Sequence, residues 1–187
     1  AATTLLGLNE LFGTPLAAET LNEIAAALGS DIPFFLQNKP ALGIGRGEQI
    51  QSLNSFPALE GVYILLVHPG FGISTAWAYG ELKNFPEALN GQPGRAQNLI
   101  ELLNSSDLQT ASAEFYNSLE APALKKYPLL YLFQEFFREQ GAVTLMSGSG
   151  STTFALIKGK SEGTELQQKF ISKFGDKFWT ALLELNG

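Results

Sequence analysis

The chain has 187 residues, of which 45% are hydrophobic and 16% are charged, and its formal net charge is −6. This composition suits one or two small globular domains and excludes an intrinsically disordered chain. The acidic balance excludes a nucleic-acid partner, because a duplex selects a basic protein surface. A small phosphorylated ligand remains open, since backbone N–H groups bind phosphate whatever the global charge.

Several further classes are excluded by what the sequence lacks. It has no cysteine and one histidine, His68, so disulfides and multi-histidine metal centres are ruled out and no metal ligands are predicted. No apolar run reaches the ~18 residues of a membrane span. No cationic segment precedes an apolar one, as a secretory signal requires. We therefore expect a cytoplasmic protein with no membrane partner.

The first part of the chain is predicted to hold two helices and a strand. Apolar residues recur at helical spacing through AATTLLGLNELFG, and Gly13 is placed to end that helix. Thr14 is predicted as the N-cap of a second helix, which ends at Gly29. Residues 41–53, ALGIGRGEQIQSL, alternate as one strand, so GIGRGE is interpreted as strand rather than as a nucleotide-binding motif.

Beyond a linker candidate at residues 54–61, NSFPALEG, the predicted order is strand, helices, two strands, helix and strand. VYILLVHP is typical of a buried strand, and TAWAYGEL of a helix. Two or three helices follow over about 98–140, then a hairpin over 142–157, a helix over about 162–174 and the strand FWTALLEL. This order predicts an α+β domain with a mainly antiparallel sheet.

The predicted hairpin is interrupted by residues with almost no side chain: Ser147, Gly148, Ser149, Gly150, Ser151 and Thr152. Successive small residues let backbone N–H groups point into one concavity that binds anionic oxygen. Glycine also lets a ligand approach the backbone closely. The same residues are equally typical of an ordinary flexible turn, and they lack the lysine of a P-loop.

Asp31 is the candidate for acid–base chemistry. It is followed by the apolar sequence IPFF, and a partly desolvated carboxylate is a stronger base. The residues alone favour a simpler interpretation, in which Ser30 or Asp31 caps a short helix that has Pro33 in its first turn.

Thr75 and Tyr79 are candidates for ligand contacts. They follow the end of a buried strand, a frequent ligand position, and they are four residues apart on one helix face. The alternative is that Ser74 or Thr75 caps the helix and Tyr79 belongs to the core. His68 is interpreted as a strand-end side chain rather than a general base.

Four segments in this order, AATTLLGLNELFG, LGSDIPFF, PGFGISTAWAY and MSGSGSTTFAL, resemble the GHMP kinase superfamily. The pairing of LGSDIPFF with GISTAWAY is most similar to the branch that phosphorylates a cytidine diphosphate-linked methylerythritol in non-mevalonate isoprenoid biosynthesis. The resemblance implies an ATP- and Mg²⁺-dependent phosphotransferase with that small-molecule substrate. It also implies a ferredoxin-like C-terminal domain over residues 61–187, preceded by the helical tail of the N-terminal, ATP-binding domain over residues 1–60.

The resemblance implies roles for the candidate residues. Asp31 matches the catalytic carboxylate that accepts the proton of the attacking hydroxyl. Thr75 and Tyr79 match substrate contacts, and residues 147–152 match a loop beside the phosphoryl-transfer site. The sequence NSLE at 117–120 stands where the family usually has Asn-Asp before the acidic residue, a change expected to affect only a helix start.

The family's first strand with its catalytic lysine and its main glycine-rich ATP loop are absent. We therefore expect the chain alone to be inactive and residues 1–60 to be an incomplete remnant. This remnant is expected to pack imperfectly onto the second domain or onto another chain, and the latter would give self-association. Two alternatives stay open: a kinase for another small alcohol such as homoserine or mevalonate, and a non-catalytic binding module with the same C-terminal fold.

Overall fold

The computed structural model describes residues 1–45, 47–89 and 92–185, in two compact units, Ala1–Ser55 and Phe56–Gly187. No helix in these ranges combines the length and the apolarity that crossing a bilayer requires. The helices are α1 (Ala2–Leu11), α2 (Ala18–Leu28), α3 (Thr75–Glu81), α4 (Arg95–Ser105), α5 (Leu108–Ala111), α6 (Glu120–Lys126), α7 (Pro128–Glu139) and α8 (Lys160–Phe174). The strands are β1 (Ala41–Ile44), β2 (Gln49–Ser52), β3 (Val62–His68), β4 (Val143–Met146), β5 (Thr153–Lys158) and β6 (Trp179–Glu184).

In the first unit, α2 begins later than predicted. Its N-cap is Ala17, and Thr14, with φ +57°, donates its hydroxyl to the Gly13 carbonyl. An N-cap residue needs an extended backbone, so the prediction that Thr14 caps α2 is wrong. The turn before α2 is held by Asn9, whose side chain both accepts from the N–H of Leu16 and donates to its carbonyl.

The segment over residues 41–53 is a hairpin and not the single strand predicted. β1 pairs antiparallel with β2, and Gly45 and Gly47 lie in the connecting turn with φ of +71° and +104°. These φ values favour glycine, so the glycines mark the bend that an alternating pattern alone does not reveal. Arg46, within the GIGRGE sequence, lies outside the described residues.

The second unit contains a four-stranded antiparallel sheet in the order β4-β5-β3-β6. Along the chain, helices lie between β3 and β4, a hairpin joins β4 to β5, and α8 lies between β5 and β6. This is the β-α-β-β-α-β arrangement of ferredoxin-like domains. It confirms the predicted α+β fold class and the predicted strands, hairpin and final helix.

The core of the second unit lies where α7 and α8 pack on one face of this sheet. Leu65 of β3, Phe133 and Phe137 of α7, and Phe170 of α8 are fully buried. The rings of Phe133 and Phe170 meet edge to face with centroids 4.9 Å apart, a favoured geometry for aromatic pairs. Within the sequence YLFQEFF, the three phenylalanines supply core.

Replacing Phe170 with alanine should destabilise the second unit by about 3–5 kcal/mol, because it leaves a cavity among buried rings. Urea denaturation followed by tryptophan fluorescence measures this unit, since both tryptophans, Trp77 and Trp179, lie in it. The neighbouring Ile171 is 36% exposed, so Ile171→Ala should cost less than about 1 kcal/mol. Equal losses from both variants would contradict this account of the core.

Candidate functional site

The start of α3 lies beside the end of the central strand β3. Ser74 is the N-cap, and its hydroxyl accepts from the Trp77 N–H at 3.3 Å, so the sequence interpretation of a cap here is confirmed. Tyr79 is 62% exposed, which excludes the alternative that it belongs to the core. Thr75 and Tyr79, one turn apart, are thus available to a ligand.

The side-chain-poor loop over residues 147–152 contacts this segment directly. The hydroxyl oxygens of Thr75 and Ser149 are 2.9 Å apart and share a hydrogen bond. The buried Ser151 hydroxyl donates to the Phe71 carbonyl. The structure therefore brings together two predicted groups of site residues, the start of α3 and the 147–152 loop. Thr75 and Ser149, which make the contact, are 74 positions apart in sequence.

The loop is a closed turn that keeps part of its backbone available. Its ends are joined by a hydrogen bond from the Ser147 N–H to the Thr152 carbonyl, at 2.8 Å, and Gly150 donates to the Ser147 carbonyl at 2.9 Å. Within the described residues, the N–H groups of Gly148 and Ser149 donate to no backbone carbonyl. Adjacent free N–H groups in a turn are what anionic oxygen binds.

Two residues outside the predicted site hold the loop from its other side. The Asn117 amide donates to the carbonyls of Met146 and Gly148, both at 2.8 Å. The Glu120 carboxylate accepts from the Met146 N–H at 2.6 Å and from the side chain of Gln134. Neither residue is among the predicted site residues. In sequence, an asparagine stands three residues before a glutamate at a helix start, which is close to a capping box. This spacing was the only sequence signal that drew attention to the two residues.

Burial raises the pKa of the Glu120 carboxyl above its ordinary value. The hydrogen bonds from Met146 and Gln134 and the charge of Arg138 act in the opposite direction and only partly offset this effect. Glu120 is therefore a carboxylate for which ionisation is costly in the folded state.

Asp31 lies in the first unit, and both interpretations based on its local sequence need correction. The short 3₁₀ helix Pro33–Leu36 has Ile32 as its N-cap and no capping side chain, so neither Ser30 nor Asp31 caps it. Asp31 is exposed rather than partly desolvated. Its carboxylate lies beside the β1–β2 turn, where a Cβ on Gly47 would be 3.3 Å from Oδ1.

Among the residues that the structure describes, no three histidine, cysteine, aspartate or glutamate side chains are placed to hold a metal ion together. His68 is the last residue of β3, and its Nδ1 accepts from the Gly70 N–H at 3.1 Å. His68 thus stabilises the turn after the strand, in agreement with its interpretation as a strand-end side chain.

Comparison with known proteins identifies the domain. Residues 86–177 match the family described as GHMP kinases C terminal. The chain is 40% identical over 160 residues to the 4-diphosphocytidyl-2-C-methyl-D-erythritol kinase of Geobacter sp. (strain M21), covering 84% of the chain and 52% of that relative. It is 37% identical over 188 residues to the enzyme of the same name from Thermodesulfovibrio yellowstonii (strain ATCC 51303 / DSM 11347 / YP87), covering 98% of the chain and 62% of that relative. The chain thus spans about half to three fifths of the length of these relatives.

Solved structures agree with the sequence relatives. A crystal structure of 4-(cytidine 5'-diphospho)-2C-methyl-D-erythritol kinase superposes with a TM-score of 0.75 at 28% identity, covering 98% of the chain and 63% of that structure. A homoserine kinase from Cytophaga hutchinsonii ATCC 33406 has a TM-score of 0.66 at 18% identity, covering 94% of the chain and 60% of that structure. The second similarity is one of fold alone.

Substitution of Gly150 by alanine should disrupt the loop more than the same change at Gly148. Both have positive φ, +87° and +55°, which costs an alanine about 1 kcal/mol. A Cβ on Gly150 would also lie 2.6 Å from Met146 Sδ and 2.9 Å from Ile73 Cδ1, whereas one on Gly148 meets nothing within 4 Å. Overpacking should add about 1–3 kcal/mol. Urea denaturation of both variants checks this, and equal stability would contradict the packing described.

The variant Glu120→Gln should gain stability relative to the unsubstituted chain as the pH rises. A raised folded-state pKa means that the contribution of Glu120 to stability is greatest below about pH 4.5, the ordinary value, and falls as the pH rises through the folded pKa. Glutamine does not titrate. Urea denaturation at about pH 4 and pH 7 measures the difference.

The control is Glu165→Gln on the surface of α8. Lys169 lowers the pKa of Glu165 through a hydrogen bond and its charge, so this variant should lose relative stability over the same pH interval, by a small amount because solvent screens the pair. The same trend in both variants would rule out burial as the cause at Glu120.

Proposed function

We propose, from the premise that the chain carries a GHMP kinase C-terminal domain, that it is the larger part of an ATP-dependent kinase. Its substrate is the 2-hydroxyl of 4-diphosphocytidyl-2-C-methyl-D-erythritol. The sequence relatives with this name support the substrate, and their lengths support an enzyme that includes more than this chain.

The observation that carries the proposal is the hydrogen bond between Thr75 and Ser149. It joins the helix proposed to bind the alcohol to the loop proposed to contact the transferred phosphate. Catalysis of phosphoryl transfer consists largely of positioning the reactants and stabilising charge. This hydrogen bond between α3 and the loop fixes the proposed alcohol-binding helix relative to the proposed phosphate-binding loop, and such positioning is what phosphoryl transfer requires.

In the proposed reaction the substrate hydroxyl oxygen forms a bond to the γ-phosphorus of ATP, and the bond from that phosphorus to the β–γ bridging oxygen breaks. ADP leaves, and the hydroxyl proton passes to the Asp31 carboxylate. The Asp31 side chain is exposed, so a substrate hydroxyl is able to reach its carboxylate.

The loop over residues 147–152 would contact the phosphoryl oxygens through the N–H groups of Gly148 and Ser149. These donors carry no net charge, yet they point at developing negative charge without reorganising. Mg²⁺ bound with ATP would supply charge neutralisation at the phosphates. We assign it no side chain, because no cluster of three metal-ligating groups exists in the described parts of the chain.

Tyr79 supplies an exposed aromatic face one helical turn beyond Thr75. We propose that this face and the Thr75 hydroxyl contact the substrate, the ring by stacking on a planar group and the hydroxyl by a hydrogen bond. Specificity for a cytidine-containing alcohol over homoserine or mevalonate then depends on Tyr79, because neither of those alcohols has a planar ring.

A kinase assay on the full-length gene product that contains this sequence tests the proposal. The protein is given ATP, Mg²⁺ and, separately, 4-diphosphocytidyl-2-C-methyl-D-erythritol, homoserine and mevalonate. We expect the first alone to be phosphorylated. Asp31→Asn should lower kcat by at least about 100-fold, since the base is removed. The matched control is Glu23→Gln, another exposed carboxylate of the first unit, which should retain kcat.

Phosphorylation of homoserine or mevalonate in place of the cytidine-containing alcohol would replace the proposed substrate while keeping the kinase. A full kcat in Asp31→Asn would remove Asp31 from its role. Absence of phosphoryl transfer to any of the three alcohols would favour a non-catalytic binding module.

A further inference from the structure

The last residue of β4 has its backbone bound by side chains instead of by a strand. β4 is an edge strand, so half of its backbone groups face away from the sheet. At Met146, which leads into the loop, Glu120 accepts from the N–H and Asn117 donates to the carbonyl. Two side chains thus complete the hydrogen bonding that a neighbouring strand would provide at this edge.

Asn117 continues the attachment into the loop itself. Its two amide hydrogens satisfy the carbonyls of Met146 and Gly148, one in the strand and one in the loop. Its Oδ1 accepts from the Leu119 N–H at 3.0 Å, which orients the amide. One planar group therefore fixes the direction in which the backbone leaves β4, and with it the free N–H groups of Gly148 and Ser149.

Glu120 is held in place by a chain of hydrogen bonds on α7. Arg138 donates to the Gln134 side-chain oxygen at 2.8 Å, and Gln134, which is fully buried, donates to Glu120. A buried polar network in which each group has a partner is rigid, and loss of one group leaves others unsatisfied.

We propose that Asn117 and Glu120 are positioning residues, which hold the 147–152 loop in the shape that phosphoryl transfer requires. The inference rests on the proposed function. It predicts that Asn117 and Glu120, the first and last residues of the NSLE sequence, affect kcat. If their hydrogen bonds only completed the bonding of the edge strand, removing them would leave kcat unchanged. Neither residue is proposed to touch the substrate.

Asn117→Asp is the sharpest probe, because the substitution keeps the acceptor for the Leu119 N–H and replaces the donor to the loop with a carboxylate oxygen, which repels the carbonyls of Met146 and Gly148. Hydrogen exchange of the loop amides, Ser147 and Gly150, should accelerate by about tenfold or more, while the amide of Phe170 in the core keeps its rate. In the full-length gene product kcat should fall by about tenfold to a hundredfold, with KM for the alcohol within about twofold.

Glu120 provides the matching rescue experiment. Glu120→Ala removes the acceptor for the Met146 N–H and should accelerate loop exchange and lower kcat as Asn117→Asp does. Glu120→Gln retains an acceptor oxygen, so its loop exchange rate and its kcat should both lie close to those of the unsubstituted protein. The control for an asparagine-to-aspartate change is Asn104→Asp, because Asn104 donates to the Ile100 carbonyl on the exposed side of α4 and should alter neither measurement.

The outcomes separate the two proposals. Unchanged loop exchange in Asn117→Asp, or exchange that rises equally in the core, would overturn the positioning role. A normal kcat despite faster loop exchange would overturn it as well, while leaving the kinase intact. If the unsubstituted gene product phosphorylates none of the three alcohols, the proposed function fails first, and the catalytic part of this inference fails with it.

Discussion

A loop made of serine and glycine has no side chains large enough to fix its own shape, and this constraint governs the candidate site. The loop over residues 147–152 takes its conformation from its neighbours: the Phe71 carbonyl and Thr75 hydroxyl on one side, and Asn117 on the other. Each of these ties uses a polar group that would otherwise need water. The loop thereby combines a fixed backbone conformation with accessible N–H groups. Large side chains would also fix the backbone, but they would cover these N–H groups.

The rest of the second unit explains why these ties stay aligned. β3 is central in the sheet and ends at the segment that leads to Thr75, while the β4–β5 hairpin carries the loop. β5 pairs with β3 from Val62 to Val67, so the two ends of the site are joined by a continuous antiparallel ladder. The rings of α7 and α8 pack behind that ladder. The same core includes Ile73, Ala78 and Met146, which lie next to the site residues in sequence, so core packing supports the site directly as well as through the sheet.

The sequence predicts the second unit closely because its strands are short apolar runs between strong turn signals, and its helices bury one aromatic face. The same rules fail in the first unit for identifiable reasons. Thr14 has the side chain of a cap, but a side-chain bridge from Asn9 to Leu16 delays the helix. Residues 41–53 keep their alternation through a hairpin bend, so periodicity alone does not divide them. Asn117 and Glu120 were missed because a contact to the backbone of a distant strand has no periodic signature.

Net charge also limits how the chain is able to bind phosphate. A protein with a net charge of −6 repels phosphate at long range, so any phosphate it binds must be held by short-range interactions. Backbone N–H groups suit this task, since their dipoles act over a few ångströms and add no charge to be neutralised when the ligand leaves. Their weakness is that a dipole works only when correctly aimed, whereas a lysine reaches its target through a flexible stem. Under the proposed function, this dependence on aimed dipoles gives a physical reason for a loop to be fixed by Asn117 and Glu120 at one edge and by Thr75 at the other.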